Sequence, residues 1–127
     1  MRVRFAPSPT GFLHIGNART AILNNLIAAK HNAELILRIE DTDLERSSKE
    51  SEESILFDLN WLNITWHEGP DKPGETGPYR QSERFEIYKK YTEELLENGH
   101  AFKCFCTAEE SAEAKKRAEQ NKTPYHD

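Results

Sequence analysis

The strongest chemical signal in the sequence is the block of residues 5–17, FAPSPTGFLHIGN. Pro7 and Pro9 stiffen a loop here, because proline fixes φ and has no N–H group. His14 and Gly16 follow where a helix is expected to begin. Backbone N–H groups and the positive end of the helix dipole attract phosphate at such a position, and glycine leaves room for a ligand. The block predicts a phosphate site with His14 as a hydrogen-bond donor; the alternative is a proline-rich turn with a helix-capping histidine.

The surrounding patterns predict the elements that position this block. Residues 2–6 alternate polar and apolar side chains and predict a strand, residues 15–30 have helical spacing, and residues 35–39 form a second strand buried on both faces. A strand, a helix and a strand within about 40 residues indicate a parallel βαβ unit. The helix is predicted to have a wide buried stripe, made of Ala18, Ile22, Leu23, Leu26, Ile27 and Ala29.

A second helix is predicted from near Ser47, which has capping-box spacing to Glu50. A brief strand is expected at residues 63–66. The apolar face of this second helix would consist of Ile55, Leu56, Leu59 and Leu62.

The remaining sequence predicts a loop and two further helices. Residues 67–80 are rich in glycine and proline and predict the loop, and residues 82–98 predict a helix that Gly99 ends. Residues 101–106 are strand-like. The last helix is expected to begin with a capping box at residues 107–110 and to reach Asn121.

Composition narrows the function classes. The chain has 127 residues, a formal net charge of −5 and two cysteines one residue apart, so we expect one domain and no disulfide framework. Its apolar runs are shorter than the ~18 residues of a membrane span, and its N-terminus lacks the apolar core of a signal peptide. We therefore expect no membrane association and a cytoplasmic location.

Residues 14–17, His-Ile-Gly-Asn, resemble the first signature of class I aminoacyl-tRNA synthetases, His-Ile-Gly-His. Asn17 replaces the last histidine, a position at which family members commonly vary. The flanking sequences RFAPSPTG (4–11) and RIEDTD (38–43) are similar to those of the glutamate-specific enzymes, whereas the glutamine-specific enzymes usually have Pro-Glu-Pro-Asn before the signature. The similarity continues through residues 79–82 to Cys104, over most of the chain.

The resemblance implies an α/β fold, a Rossmann-like nucleotide-binding domain that is incomplete here. Residues 1–127 would be the N-terminal part of the catalytic domain, with an inserted zinc-binding or acceptor-stem segment starting near residue 100. The lysine-rich second signature of the class does not occur in these residues.

The resemblance also implies the site residues. Arg4 has the planar guanidinium that holds a carboxylate through two hydrogen bonds, and Glu40 suits an α-ammonium group. For Arg4 the alternative is a solvated charge on a strand, and for Glu40 a helix-capping acid. The implied catalytic residues are His14, Gly16 and Asn17, the ATP-binding residues are Thr10, His14 and Gly16, and the glutamate-binding residues are Arg4, Ala6, Ser8 and Glu40.

Several cysteine, aspartate and basic side chains are of types that bind metal ions or phosphate. Cys104 and Cys106 would supply two of the four ligands that a structural zinc site needs, with His126 as a conceivable third; the alternative is two ordinary cysteines. Asp41 and Asp43 suit Mg²⁺ by type, but we prefer a solvated acidic turn. The side chains of Arg46, Lys49, Arg80 and Arg84 suit RNA phosphate, and we assign them no ligand.

The function implied by the resemblance is that of a glutamate–tRNA ligase. It would activate L-glutamate with ATP and Mg²⁺, transfer it to the 3′ end of tRNA(Glu), and act as a monomer, while the fragment alone would be inactive. Two alternatives remain open: a paralogue that attaches glutamate to the modified base queuosine of tRNA(Asp), and a non-catalytic nucleotide-binding module.

Overall fold

The computed structural model describes residues 1–125 and is an α/β structure. Residues 1–88 form one compact unit, and the chain from Lys89 onward forms a second. The elements are β1 (Arg2–Phe5), α1 (Ile15–His31), β2 (Glu34–Leu37), α2 (Lys49–Trp61), a 3₁₀ helix (Gln81–Arg84), α3 (Phe85–Glu97) and α4 (Ala108–Asn121).

The predicted βαβ unit is confirmed. β1 and β2 pair in parallel, with Arg4 opposite Ile36 and Phe5 opposite Leu37. The pairing continues beyond both strands, because the amides of Arg38 and Glu40 donate to the carbonyls of Phe5 (3.0 Å) and Pro7 (2.9 Å). The residues that follow each strand therefore lie side by side.

The other edge of β2 is also hydrogen-bonded, by a segment without regular strand structure. The amide of His67 donates to the Leu35 carbonyl and the amide of Leu37 donates to the Glu68 carbonyl, both at 2.8 Å. Further on, Ile39 exchanges backbone hydrogen bonds with Tyr79 and Gln81. The strand predicted at residues 63–66 is therefore wrong: the pairing begins at residue 67, because Ile64 and Trp66 are buried in the core instead.

The core lies between β2, α1 and α2. Ile55 and Leu59 of α2 are buried against Leu35 and Leu37, and Leu56 and Leu62 pack beside them, so the predicted apolar face of α2 is confirmed. The wide buried stripe predicted for α1 is wrong. Its buried residues are Ala18, Ala21 and Ala28, while Leu26 is 58% exposed. Small side chains let the helix lie close to the sheet, which leaves the larger aliphatic residues Ile22, Leu23 and Ile27 on an exposed face.

Several predicted boundaries shift. Ser48, not Ser47, caps α2 by accepting a hydrogen bond from the amide of Ser51. The helix predicted from residue 82 begins as the 3₁₀ turn and becomes α-helical at Phe85. Residues 101–106 are irregular rather than a strand, since the structure provides no pairing partner for them in the described chain.

The predicted end of α3 and start of α4 are confirmed. Gly99 has φ +70° just after α3, and the Thr107–Glu110 capping box opens α4. Within residues 1–125, no helix is long and apolar enough to cross a bilayer.

One buried carboxylate organises the loop beside β2. Glu68 is 8% exposed and accepts hydrogen bonds from the Tyr79 hydroxyl (2.5 Å) and from the hydroxyl (2.5 Å) and amide (3.1 Å) of Thr76. The two side-chain hydrogen bonds, Thr76 first and Tyr79 second, outweigh desolvation and lower the pKa of Glu68 to about 2. Gly74 passes so close to this carboxylate that a Cβ there would clash with Glu68 Cδ.

We predict that Glu68 makes stability depend on pH. Because its folded pKa lies below the ordinary value of 4.5, ionised Glu68 stabilises the fold at pH 5 and above, and the contribution is lost as pH falls from about 4.5 towards 2. Glu68→Gln should lower the thermal midpoint at pH 7 and flatten its fall over that acidic range. Thermal unfolding of the wild type, Glu68→Gln and the exposed-site control Glu94→Gln measures this; equal acid sensitivity in all three would contradict the prediction.

Candidate active site

The loop between β1 and α1 is shaped by two backbone hydrogen bonds and by the conformation of one glycine. Pro9 is fully buried, and its carbonyl accepts a hydrogen bond from the amide of Ser48 at the start of α2 (3.2 Å). The Ser8 carbonyl accepts from the amide of Thr10 (2.9 Å), which makes a tight turn. Gly11 follows with φ +149°, a conformation that residues with side chains rarely adopt. The loop is thereby shaped by its own chain, while the Ser8 and Thr10 side chains remain exposed.

His14 caps α1. Its Nδ1 accepts a hydrogen bond from the amide of Gly16 at 3.1 Å. Because an imidazole nitrogen that accepts a hydrogen bond carries no proton, the neutral ring has its proton on Nε2. The capping interpretation of His14 is therefore correct, and it is compatible with the donor role, since the cap leaves Nε2–H free at an exposed side chain.

The His14 ring explains why position 16 has no side chain. A Cβ at position 16 would lie 2.9 Å from His14 Cε1 and 3.0 Å from Nδ1, so a side chain would push the ring off the helix start. Asn17 lies in the same first turn and is half-buried. The implied roles of Gly16 and Asn17 towards a ligand remain predictions.

The four residues predicted to bind glutamate share one face of the sheet or its extension. Phe5 faces the core, and side chains alternate along a strand, so Arg4, Ala6 and Ser8 point to the opposite face. In the observed register Glu40 lies beside Ser8 and points to that same face, since Leu37 and Ile39 are buried in the core. The carbonyls of Phe5 and Pro7 point towards β2, so the Ala6 carbonyl points to the free edge.

Arg4 opens into a cavity of about 250 Å³ that sequence reasoning missed. Arg2, Arg38 and Arg84 also line it. In the described part of the chain, Arg4 is exposed and forms no ion pair, whereas Arg2 pairs with Glu34 at 2.7 Å. The alternation of arginines along β1 is the one local signal that could have indicated a cationic face.

The acidic turn after β2 is occupied by protein groups. Asp41 accepts hydrogen bonds from the amide (2.8 Å) and hydroxyl (2.6 Å) of Ser82, and Asp43 pairs with Arg46. The hydrogen bond from Arg46 is the main cause of a lowered pKa of Asp43. These contacts support the interpretation of the turn as structural rather than as a magnesium site.

Arg80 also has a protein partner, because its guanidinium forms a fork with both carboxylate oxygens of Glu52. Its Nε lies 3.2 and 3.1 Å from Oε1 and Oε2, and one terminal nitrogen lies 2.7 Å from Oε1. This hydrogen bonding raises the pKa of Arg80. It ties the 3₁₀ turn to α2.

Cys104 and Cys106 are both exposed free thiols. The hydrogen bond with Cys104 raises the pKa of the Cys106 thiol, which favours its protonated form. Across residues 1–125, no group of three or more histidine, cysteine, aspartate or glutamate side chains could hold a metal ion. The two thiols therefore do not form a zinc site with any other described residue; the proposed third ligand, His126, lies outside the described residues.

A family model for the catalytic domain of class I tRNA synthetases, the glutamate and glutamine group, matches residues 1–127. The chain belongs to this family. It is 59% identical to a glutamate–tRNA ligase of Sulfurihydrogenibium sp. over 124 residues, which are 98% of this chain and 26% of that protein. It is 61% identical to the glutamate–tRNA ligase of Carboxydothermus hydrogenoformans over 116 residues, 91% of this chain and 24% of the relative.

Solved structures agree with the fold. The crystal structure of a glutamate tRNA ligase from Elizabethkingia meningosepticum, in complex with its amino acid, superposes with a TM-score of 0.83 at 42% identity, over 98% of this chain and 25% of that one. The expected fold, an incomplete Rossmann-like class I catalytic domain, is therefore confirmed. The chain spans about a quarter of the length of the relatives it matches.

We predict that His14 stabilises α1 by capping it. His14→Ala should lower the free energy of unfolding by about 0.5–2 kcal/mol, because the amide of Gly16 loses its acceptor. His14→Ser is the matched control, since a serine hydroxyl also caps a helix. Chemical denaturation of the three proteins measures the effect; if alanine and serine were equally destabilising, the cap would not be the cause.

Proposed function

We propose that residues 1–127 are the N-terminal part of the catalytic domain of a glutamate–tRNA ligase. By the complete enzyme we mean this chain within the full length that its relatives have. The complete enzyme activates L-glutamate with ATP and transfers it to the 3′ end of tRNA(Glu). The observation that carries the proposal is that Arg4 and Glu40 lie on the same face of two paired strands, whose connecting helix begins with a His14 ring that has a free Nε2–H.

The amino-acid pocket needs two opposite charges, and this face supplies both. Arg4 has no acidic partner among residues 1–125, so its guanidinium is available for the side-chain carboxylate of glutamate. Glu40 is half-buried, and its Oε1 is 3.9 Å from the nearest Arg38 nitrogen, which leaves its carboxylate able to pair with the α-ammonium group. Ser8, which lies beside Glu40, and the Ala6 carbonyl at the free edge of β1 add neutral hydrogen-bonding groups.

The nucleotide side of the site is the start of α1. The amides of its first turn and the helix dipole favour a phosphate group there. The Nε2–H of His14 donates a hydrogen bond to a phosphate oxygen, and Thr10 adds an exposed hydroxyl. Gly16 and Asn17 complete this first turn. Mg²⁺ enters with ATP, as the counter-ion of its phosphates.

The reaction then requires positioning more than acid–base chemistry. The α-carboxylate of glutamate attacks the α-phosphate of ATP, the bond to the β-phosphate oxygen breaks, and pyrophosphate leaves. A ribose hydroxyl at the tRNA 3′ end attacks the resulting mixed anhydride and displaces AMP. The His14 donor stabilises negative charge on phosphate in the first step.

We predict that Arg4 selects glutamate over glutamine. Arg4→Ala should lower kcat/KM for glutamate by an amount equivalent to about 2–5 kcal/mol, because a charge-assisted pair is lost, whereas Arg4→Lys keeps the charge and should cost less. Aminoacylation by the complete enzyme with each amino acid measures this. If Arg4→Ala retained the full preference for glutamate, Arg4 would not be the selecting group.

We predict that His14→Ala raises the activation barrier for tRNA(Glu) aminoacylation by about 2–4 kcal/mol and lowers kcat accordingly. This is the effect expected when a charged transition state loses one hydrogen-bond donor. His14→Ser, which retains the helix cap, should be impaired to a similar extent. Activity in the serine variant equal to wild type would reduce His14 to a structural cap. Charging of tRNA(Asp) in place of tRNA(Glu) in the same assay would favour the paralogue.

A further inference from the structure

The cavity next to Arg4 carries more positive charge than one carboxylate contact explains. Four arginines line it, and its other lining residues are neutral. A cavity of about 250 Å³ that is walled by guanidinium groups favours an anionic group of the size of a carboxylate.

The four guanidinium groups differ in how far protein groups neutralise them. Arg2 pairs with Glu34 at 2.7 Å and Glu75 at 3.3 Å. Arg38 lies 3.9 Å from a Glu40 oxygen and donates to the Tyr88 hydroxyl at 3.2 Å. A carboxylate therefore lies within 4 Å of each of these two guanidinium groups.

Arg84 differs in this respect. One of its terminal nitrogens donates to the Pro78 carbonyl at 2.8 Å, a neutral acceptor, and its Nε, like that of Arg38, is buried without a hydrogen-bond partner in the described chain. No carboxylate of residues 1–125 forms an ion pair with it. Since a half-buried charge without a counter-charge is unfavourable, a bound anion would stabilise this arrangement.

We propose that Arg84 is a specificity-determining residue, the second cation beside Arg4 in the pocket for the acidic side chain. The proposal rests on the proposed function, because it takes the bound anion to be the side-chain carboxylate of glutamate. The Pro78 carbonyl holds the Arg84 guanidinium at the cavity wall, so the charge is in place before the substrate arrives. Glutamine, which is neutral, gains nothing from a second cation.

The test compares Arg84→Gln and Arg84→Lys with Arg117→Gln in the complete enzyme. Arg117 is an exposed residue of α4 and undergoes the same loss of charge. For each protein, kcat/KM is measured with glutamate and with glutamine, together with the KM for ATP. Arg84→Gln should lower kcat/KM for glutamate at least tenfold, leave that for glutamine and the KM for ATP within twofold, and so reduce the discrimination tenfold or more. Arg84→Lys should fall between Arg84→Gln and wild type, and Arg117→Gln should match wild type.

The outcomes separate the possible failures. A loss of Pro78 anchoring alone would lower activity with both amino acids to the same extent and would overturn the specificity role, as would an unchanged ratio in Arg84→Gln. If Arg84→Gln failed to fold, the glutamate-to-glutamine ratio of Arg84→Lys would decide, and an unchanged ratio there would also overturn the proposal. If wild type failed to prefer glutamate, the proposed function would be wrong; if Arg4 variants lost the preference and Arg84 variants kept it, only the role of Arg84 would be wrong.

Discussion

The positions of the residues predicted to bind glutamate depend on one backbone segment, residues 35–40, which is hydrogen-bonded along both edges. The amides of Arg38 and Glu40 face the β1 side, while Leu35, Leu37 and Ile39 bond to the loop segments on the other side. A parallel pair of strands alone would be marginal in water, so this third, irregular partner matters. It holds the outer edge of the segment whose register with β1 brings Arg4 and Glu40 to one face.

The irregular partner in turn depends on Glu68. Residues 69–78 leave the edge of β2 and return to it at Tyr79, and the Glu68 carboxylate joins the two ends through the hydroxyls of Thr76 and Tyr79. The return places Pro78 and Arg84 at the cavity. The Glu68 carboxylate therefore organises one wall of the cavity through Thr76 and Tyr79, which line it.

Local patterns were enough to predict the βαβ unit, the start of α4, and the proline-containing loop that ends where α1 begins at His14. Strand alternation, capping boxes and prolines act within a few residues. The local patterns failed where a helix boundary or a strand pairing depends on contacts between residues that are far apart in sequence. Ser47 has the capping-box spacing to Glu50 and Ser48 does not, yet Ser48 is the cap, and its amide is held by the carbonyl of Pro9, which lies far away in sequence. The pairing at residues 67–68 has no strand-like pattern, because β2 supplies its partners from over 30 residues away. The arginine cavity likewise combines three separate segments, so only the resemblance indicated Arg4, and the sequence marked Arg84 only as a side chain suited to RNA phosphate.

The contact between α1 and the sheet is made by alanines, and Ala21 has no exposed surface. Because the methyl group sets the distance between the two layers, a larger residue at this position would lift the helix as a rigid rod. The His14 ring at one end and the left-handed Asn32 turn at the other would move with it. The size of the side chain at position 21 thus controls where the His14 ring lies, although Ala21 is two turns of helix away from it.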